Sequence, residues 1–237
     1  HPKAVPQGFY QWRRVLERSY NLQTNFLICR SKKMVCGVLP AYSVGGKISP
    51  RRMYVVRSGF WATTPSVYSV LFQVLQEQAK NQGIEAIEIE ANGMQFQEAR
   101  WKPSLTSSFI LPLSNETQMW AELPAKTRNM IRKARKSGIV VSAENNGSDS
   151  LYVQYRENMV RLGVGLHTKE FFDIILEEFR SQSKVLIAHL DGVPVASMLL
   201  LHGTEVATYP VQNALFEYRK YAPIQLLTWE AMKQATY

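Results

Sequence analysis

The chain has 237 residues, enough to bury a core as one large domain or two small ones, and its 46% hydrophobic and 20% charged residues are ordinary for a globular protein. Twenty-eight Lys and Arg against 19 Asp and Glu leave +9, which favours anionic partners such as nucleic acid, nucleotide cofactors or an acidic membrane surface. No apolar run approaches the roughly 20 residues of a transmembrane span, and no signal peptide opens the chain, so a cytoplasmic protein is expected. It begins at His1 rather than Met, as a fragment does.

In chain order, Phe9–Tyr20 reads as a helix with aromatic anchors. Asn25–Arg30 and Met34–Tyr42 read as a hairpin around Ser31-Lys32-Lys33, Gly45-Gly46 as a break, and Met53–Arg57 as a third strand. Thr64-Pro65 starts a helix that runs to Gln82 and ends at Gly83. Ile84–Glu90 alternates apolar and acidic residues, as a half-buried strand does, and Phe109–Leu113 reads as another short strand. Cys29 and Cys36 flank the first hairpin; they are too few and too far apart for a metal framework, so no metal is expected. They read either as reduced thiols or as a disulfide across that hairpin.

The second half begins with a basic helix, Lys126–Lys136, followed by helices at Tyr152–Leu162 and Lys169–Arg180. Strands at Lys184–Leu190 and Val193–Leu201 join through Asp191-Gly192, a two-residue hairpin turn. Glu205–Val211 is a further strand, and Ala222-Pro223 opens a helix to about Gln234. Both halves read helix, strand, tight turn, strand, strand, helix. Gly37-Val38-Leu39-Pro40 and Gly192-Val193-Pro194-Val195 look like matching strand starts. The chain is therefore read as two related α+β halves, 1–112 and 113–237. The second half stops at Tyr237, where the strand equivalent to Ile84–Glu90 should start, so it is expected to be truncated.

The basic helix carries Lys126, Arg128, Arg132, Lys133, Arg135 and Lys136 and no acid. Like charges four residues apart oppose helix formation by roughly 0.2–0.5 kcal/mol a pair. A helix that tolerates several of them with no acid in relief is expected to hold an anion.

The stretch Trp120-x-x-Leu123-x-x-Lys126-x-Arg128-Asn129-x-Ile131-Arg132-Lys133-Ala134-x-Lys136-x-Gly138 resembles the signature that opens the second half of the Fem family (FemA, FemB and FemX) and its GNAT-like relatives. The Phe171-Phe172 pair, the strands around Asp191-Gly192 and the run from Ala207 through Trp229 follow the same order. The resemblance implies two tandem GNAT (acyl-CoA N-acyltransferase)-like halves and a bacterial enzyme that moves an acyl or aminoacyl group to an amine. In the best-known members the donor is an aminoacyl-tRNA and the acceptor a peptidoglycan precursor, so a nucleotide- or lipid-linked envelope precursor and peripheral contact with an anionic membrane are the implied partners. Two features depart from the family: Arg57-Ser58-Gly59-Phe60-Trp61 lacks a double glycine, and the strand and loop that carry an Asp-Phe-Gly-like motif are absent after the last helix.

Lys126, Arg128, Asn129, Arg132 and Lys133 are the candidate phosphate-binding residues, with Arg219 and Lys220 at a second anion site. In acetyltransferase folds a loop entering a helix N-terminus cradles pyrophosphate, and here the Arg/Gln-x-x-Gly-x-Gly/Ala pattern survives only as Arg219-x-x-Ala222. Ala222 and Pro223 narrow such a cradle and remove an N–H, which favours tRNA or a nucleotide-linked donor over acyl-CoA. Glu217 and Tyr209 are the candidate catalytic acid or base, with His202 a third. No resident cofactor is expected, only the donor, aminoacyl-tRNA or acyl-CoA. An acyl-CoA enzyme of the same fold and a non-catalytic nucleic-acid-binding relative are the alternatives.

Overall fold

The computed structural model describes residues 4–46, 49–56, 59–89, 109–144 and 147–236. His1, Arg57, Ser58, Glu90 and Tyr237, which figure in the sequence reading, lie outside the described residues. The chain divides into two compact units, His1–Ile110 and Leu111–Tyr237.

In the first unit, helix α1 (Tyr10–Tyr20) precedes an antiparallel meander of β1 (Thr24–Ser31), β2 (Met34–Gly46) and β3 (Ser49–Val55). A two-residue strand β4 (Trp61–Ala62) pairs with β2; helix α2 (Pro65–Asn81) then returns the chain to β5 (Ala86–Glu88), parallel to β3. The start of α2 is as the sequence indicates: Thr64 Oγ1 accepts from the Val67 N–H at 3.3 Å, and Pro65 fills the first turn. Just beyond its end Gly83 has φ +63°. Alternate strand residues Leu39, Ala41, Met53 and Val55 bury against Leu71, Phe72, Leu75 and Ala79 of α2, the two periodicities meeting in one core.

In the second unit, α3 (Glu116–Glu122) and α4 (Ala125–Lys136) lead into β6 (Val140–Glu144), then α5 (Ser148–Leu162) and α6 (Lys169–Glu178). Strands β7 (Ser183–Leu190), β8 (Val193–His202) and β9 (Ala207–Ala214) follow, then a 3-10 helix (Phe216–Tyr221) and α7 (Pro223–Ala235). The sheet is antiparallel in the order β6-β7-β8-β9. One face, with Leu186, Ala188, Ala196, Met198 and Leu200, packs on Ile131 and Ala134 of α4 and on Leu226, Leu227, Trp229 and Ala231 of α7. The opposite face, which includes Val185, Ile187, Ser197 and Asn213, lies under α5 and α6.

The repeat is visible in the backbone. In each unit the hairpin carries a register shift at the same distance from its turn, between Cys29 and Arg30 in β1 and between Ala188 and His189 in β7. The pairing to the third strand is also shifted in each unit, between Val44 and Gly46 and between Leu199 and Leu201, but not at matching distances from the turn. This register corrects the matching of tetrapeptides. Met34 opens β2 as Val193 opens β8, so Gly37, opposite Cys29, corresponds to Ala196, opposite Ala188, and not to Gly192.

Other sequence expectations change too. Phe109–Leu113 is not a strand: Phe109 is 98% and Ile110 89% exposed, an apolar run with no strand beside it among the described residues. Strand β2 runs past Tyr42 and ends at Gly46, at the break expected from Gly45-Gly46. Helix α3 and strand β6 were not anticipated, although Asn115 caps α3 in the usual way, its Oδ1 accepting from the Gln118 N–H at 2.9 Å. Cys29 and Cys36 are free thiols. The Cys36 thiol lies 3.3 Å from that of Cys29, and this hydrogen bond pushes the Cys29 pKa up.

Candidate functional site

Helix α4 has no acid in its first turn and three basic residues in its last. Its six charges are put to two different uses. The arginines turn toward protein. Arg128 donates to the carbonyls of Ala121 (2.9 Å) and Leu123, at the C-terminal end of α3, and stands 3.5 Å from that of Trp120. The guanidinium of Arg132 lies 5.4 Å from the Trp120 ring centroid and donates to Asn129 Oδ1 at 3.0 Å. Arg135 pairs with Glu230 of α7 at 3.1 Å, so the acid missing from α4 itself is supplied by its neighbour. Lys126, Lys133 and Lys136 are exposed and make no hydrogen bond or ion pair among the described residues.

Met130 of α4 lines a cavity of about 300 Å³ in the second unit. Lys126 and Lys133 are its neighbours one helical turn before and after, so two free ammonium groups flank this wall. The opposite wall is the start of α7, with Pro223, Ile224 and Gln225, together with Arg219 of the preceding 3-10 helix. Of the residues read from the sequence as two anion sites, Arg219 alone lines this cavity, and α4 contributes Met130 to it. Ala222 enters α7 in the left-handed region, φ +59°, with a side chain 3% exposed, and no side chain caps the helix. That conformation, usually reserved for glycine, costs an alanine roughly 1–2 kcal/mol.

The floor is polar: Gln212 and Asn213 from the end of β9, and Asn158 from α5. Asn158 Oδ1 accepts from Arg219 at 2.8 Å and from Arg161 at 3.0 Å, while its Nδ2 donates to Asn213 Oδ1 at 3.3 Å. Arg161 and Arg219 also sit on the exposed Phe216 ring, at 5.3 and 5.6 Å. None of these amides was singled out from the sequence; the available signal was the polar pair Gln212-Asn213 closing a strand.

The remaining candidates lie outside the cavity lining. Glu217 is exposed, and Arg219 turns to Asn158 rather than to it. Tyr209 is 53% exposed on β9, and the Lys220 ammonium rests 5.1 Å from the Tyr221 ring. His202, at the end of β8, is held below the ordinary imidazole pKa by burial and by Lys184. The cavity lining therefore offers the Arg219 guanidinium, side-chain amides and a helix start next to apolar Met130, Ala214 and Ile224, with no carboxylate or imidazole among its described residues. Such a set holds an anion and a carbonyl group in place rather than moving protons.

Residues 124–236 match the family model of the acetyltransferase (GNAT) domain. Most of the second unit is thus similar to the GNAT acetyltransferase domain. With it the enzyme class read from the sequence holds: the chain is an acyltransferase. Among solved structures, FemX aligns over 98% of this chain and 80% of its own, with a TM-score of 0.72 at 13% identity. The C-terminal domain of a protein described as a lysylphosphatidylglycerol synthetase, from Agrobacterium fabrum, aligns over 97% and 74%, with a TM-score of 0.54 at 12% identity. A tandem GNAT protein from the clavulanic acid biosynthesis pathway covers 94% and 74%, at 0.50 and 11%. These likenesses are of fold, and the fold they share is the tandem GNAT-like α+β architecture expected from the Fem resemblance. No curated protein matches the chain in sequence.

Proposed function

We propose that this acyltransferase takes an aminoacyl group from aminoacyl-tRNA and places it on an amine of a cell-envelope precursor. The observation that supports the reading is a cavity lined by Arg219, by Pro223 at the start of α7 just after the left-handed Ala222, and by Met130 of α4, whose helical neighbours Lys126 and Lys133 are exposed. Three cations and an uncapped helix start attract the phosphates of a donor. Ala222 and Pro223 leave less room and one N–H fewer than a glycine-rich pyrophosphate cradle, which disfavours coenzyme A as the leaving group. FemX and the synthetase domain agree with this reading by fold, and the name of the latter describes a lysyl group joined to a lipid headgroup. Use of charged tRNA implies a cytoplasmic site of action. Among the described residues no helix is long and apolar enough to cross a membrane, and the exposed lysines of α4 suit contact with an anionic membrane surface that bears the acceptor.

In this scheme the donor phosphates rest on Lys126, Lys133 and Arg219, and the acyl carbon sits in the cavity. The acceptor amine attacks that carbon, the leaving 3′-oxygen departs with the proton, and positioning supplies much of the rate. A second reading, transfer from acyl-CoA, has one observation in its favour, the opening of α7 onto the cavity. A direct assay separates the two. The purified chain is given a pool of charged tRNA or acetyl-CoA with hydroxylamine as a generic acceptor amine, and hydroxamate is measured. Hydroxamate from charged tRNA, lost on Lys126→Glu/Lys133→Glu, is the expected result. Turnover of acetyl-CoA with none of charged tRNA overturns the tRNA reading.

A further inference from the structure

The floor of the cavity contains an ordered chain of amides whose direction is fixed by chemistry. A guanidinium can only donate hydrogen bonds, so the Asn158 atom that faces Arg219 (2.8 Å) and Arg161 (3.0 Å) must be its oxygen. The other end of the Asn158 amide is then an NH₂ group, and the Asn213 atom it meets at 3.3 Å must again be oxygen. The two arginines thereby decide both amide orientations, the kind of assignment that density alone rarely makes. Asn213 is left presenting its own NH₂. That group has no partner among the described residues, on a side chain only 3% exposed that lines the cavity. Its strand neighbour Ser197 is fully buried, so the local medium is dry. An unpaired buried donor is costly to keep, and each donation earlier in the chain strengthens the next.

We propose that the Asn213 amide is a catalytic residue: it donates to the carbonyl oxygen of the bound acyl group and stabilises the oxyanion formed there, with Asn158, Arg161 and Arg219 as its positioning residues. This rests on the acyl-transfer reading of the same cavity. In the reaction the amine lone pair forms a bond to the acyl carbon and the C=O π electrons move onto oxygen, where the Asn213 N–H meets them. Collapse restores C=O and breaks the bond to the leaving oxygen, which takes up the proton released by the amine. A donor already aimed and shielded from water needs no reorganisation as the charge develops.

The test uses the full chain. An aminoacyl-adenosine with its ester replaced by an amide keeps the carbonyl but cannot react, and its binding is followed by the ¹⁵N side-chain resonances, that of Asn213 being assigned by its loss in Asn213→Asp. The expected result is a downfield shift of the Asn213 NH₂ protons on binding, and a kcat about a hundredfold lower in Asn213→Asp with KM within threefold of the parent, the loss typical of one oxyanion donor. Binding that leaves the Asn213 resonance unmoved, or a folded Asn213→Asp with parental kcat, overturns the assignment while the transferase reading stands. Absence of both binding and turnover on any acyl donor overturns the two together.

Discussion

At the scale of single residues, the basic helix separates into structural and available charge. Arg128 is bound to the carbonyl end of α3, which otherwise would lack partners. Arg128 was read from the sequence as a phosphate-binding candidate; its contacts make its loss a stability mutation. Arg128→Met should cost about 1–2 kcal/mol, the worth of charge-assisted bonds to backbone carbonyls. Lys126→Gln/Lys133→Gln should leave the melt unmoved and weaken donor binding, so calorimetry and a binding titration on the same pair of variants separate the two roles. Parental stability in Arg128→Met removes the capping role. Titration gives a second residue-scale expectation. Burial holds His167 below the ordinary imidazole value of 6.5, with its ring stacked 4.2 Å from that of Phe171, and His202 is lowered as well. Between the folded and the ordinary pKa the unfolded chain binds more protons, so stability rises with pH through that window. It is fully present above the ordinary value and is lost as pH falls below it. His167→Phe should flatten the fall in melting temperature between pH 7 and 5, and an unchanged slope would show that His167 contributes nothing to it.

At the scale of elements, the strands carry the information that a sequence pattern alone conceals. Gly45 is the unpaired residue of the β2–β3 register shift, with φ +98°, and a Cβ built there would stand 2.2 Å from the Pro50 carbonyl oxygen. Gly46 next to it has nothing within 4 Å. Gly45→Ala should therefore destabilise by about 2 kcal/mol or more, through both clash and a strained backbone, and Gly46→Ala by less than about 1 kcal/mol. Equal losses in urea titrations would mean that β2 does not bend at Gly45. In the sequence the two glycines read as the end of a strand, and β2 does end at Gly46; the bulge at Gly45 just before that end is what the pattern conceals. Helices α1, α2, α4, α5, α6 and α7 were legible from local signals: hydroxyl caps at Thr64 and Thr168, proline at the starts of α2 and α7, and an apolar stripe on α4 opposite its charges. Strand β6 was missed because five residues after Gly138 show too little alternation to stand out from a loop. The cavity was half legible. Charge clusters on α4 and at Arg219 announce themselves, whereas Asn158 and Asn213 acquire meaning only when α5 lies across β9, a contact that no local pattern encodes.

At the scale of the whole molecule, the charge is divided unequally. Residues 1–110 hold 14 Lys and Arg against 6 Asp and Glu, and residues 111–237 hold 14 against 13. Nearly all of the +9 therefore belongs to the first unit, while the cavity described above lies in a unit that is close to neutral. A small donor such as acyl-CoA needs only the few cations at the cavity, whereas a tRNA is a polyanion that feels the field of the entire chain. The two donors thus predict different salt dependences. Contacts from Lys126, Lys133 and Arg219 alone release about three counterions, for a slope of log K against log salt near −2 to −3, since each phosphate contact contributes about −0.7 to −0.9. If the first unit also engages the donor, the slope for tRNA should be steeper than about −4. Lys32 and Lys33, exposed at the β1–β2 turn, should then matter although they lie in the other unit. Lys32→Glu/Lys33→Glu should flatten the slope by about one to two and weaken tRNA at low salt. Neither residue is buried, so the melt should hold. A tRNA slope no steeper than −3, unchanged by that double reversal, would confine recognition to the cavity and leave the charge of the first unit to some other anionic surface.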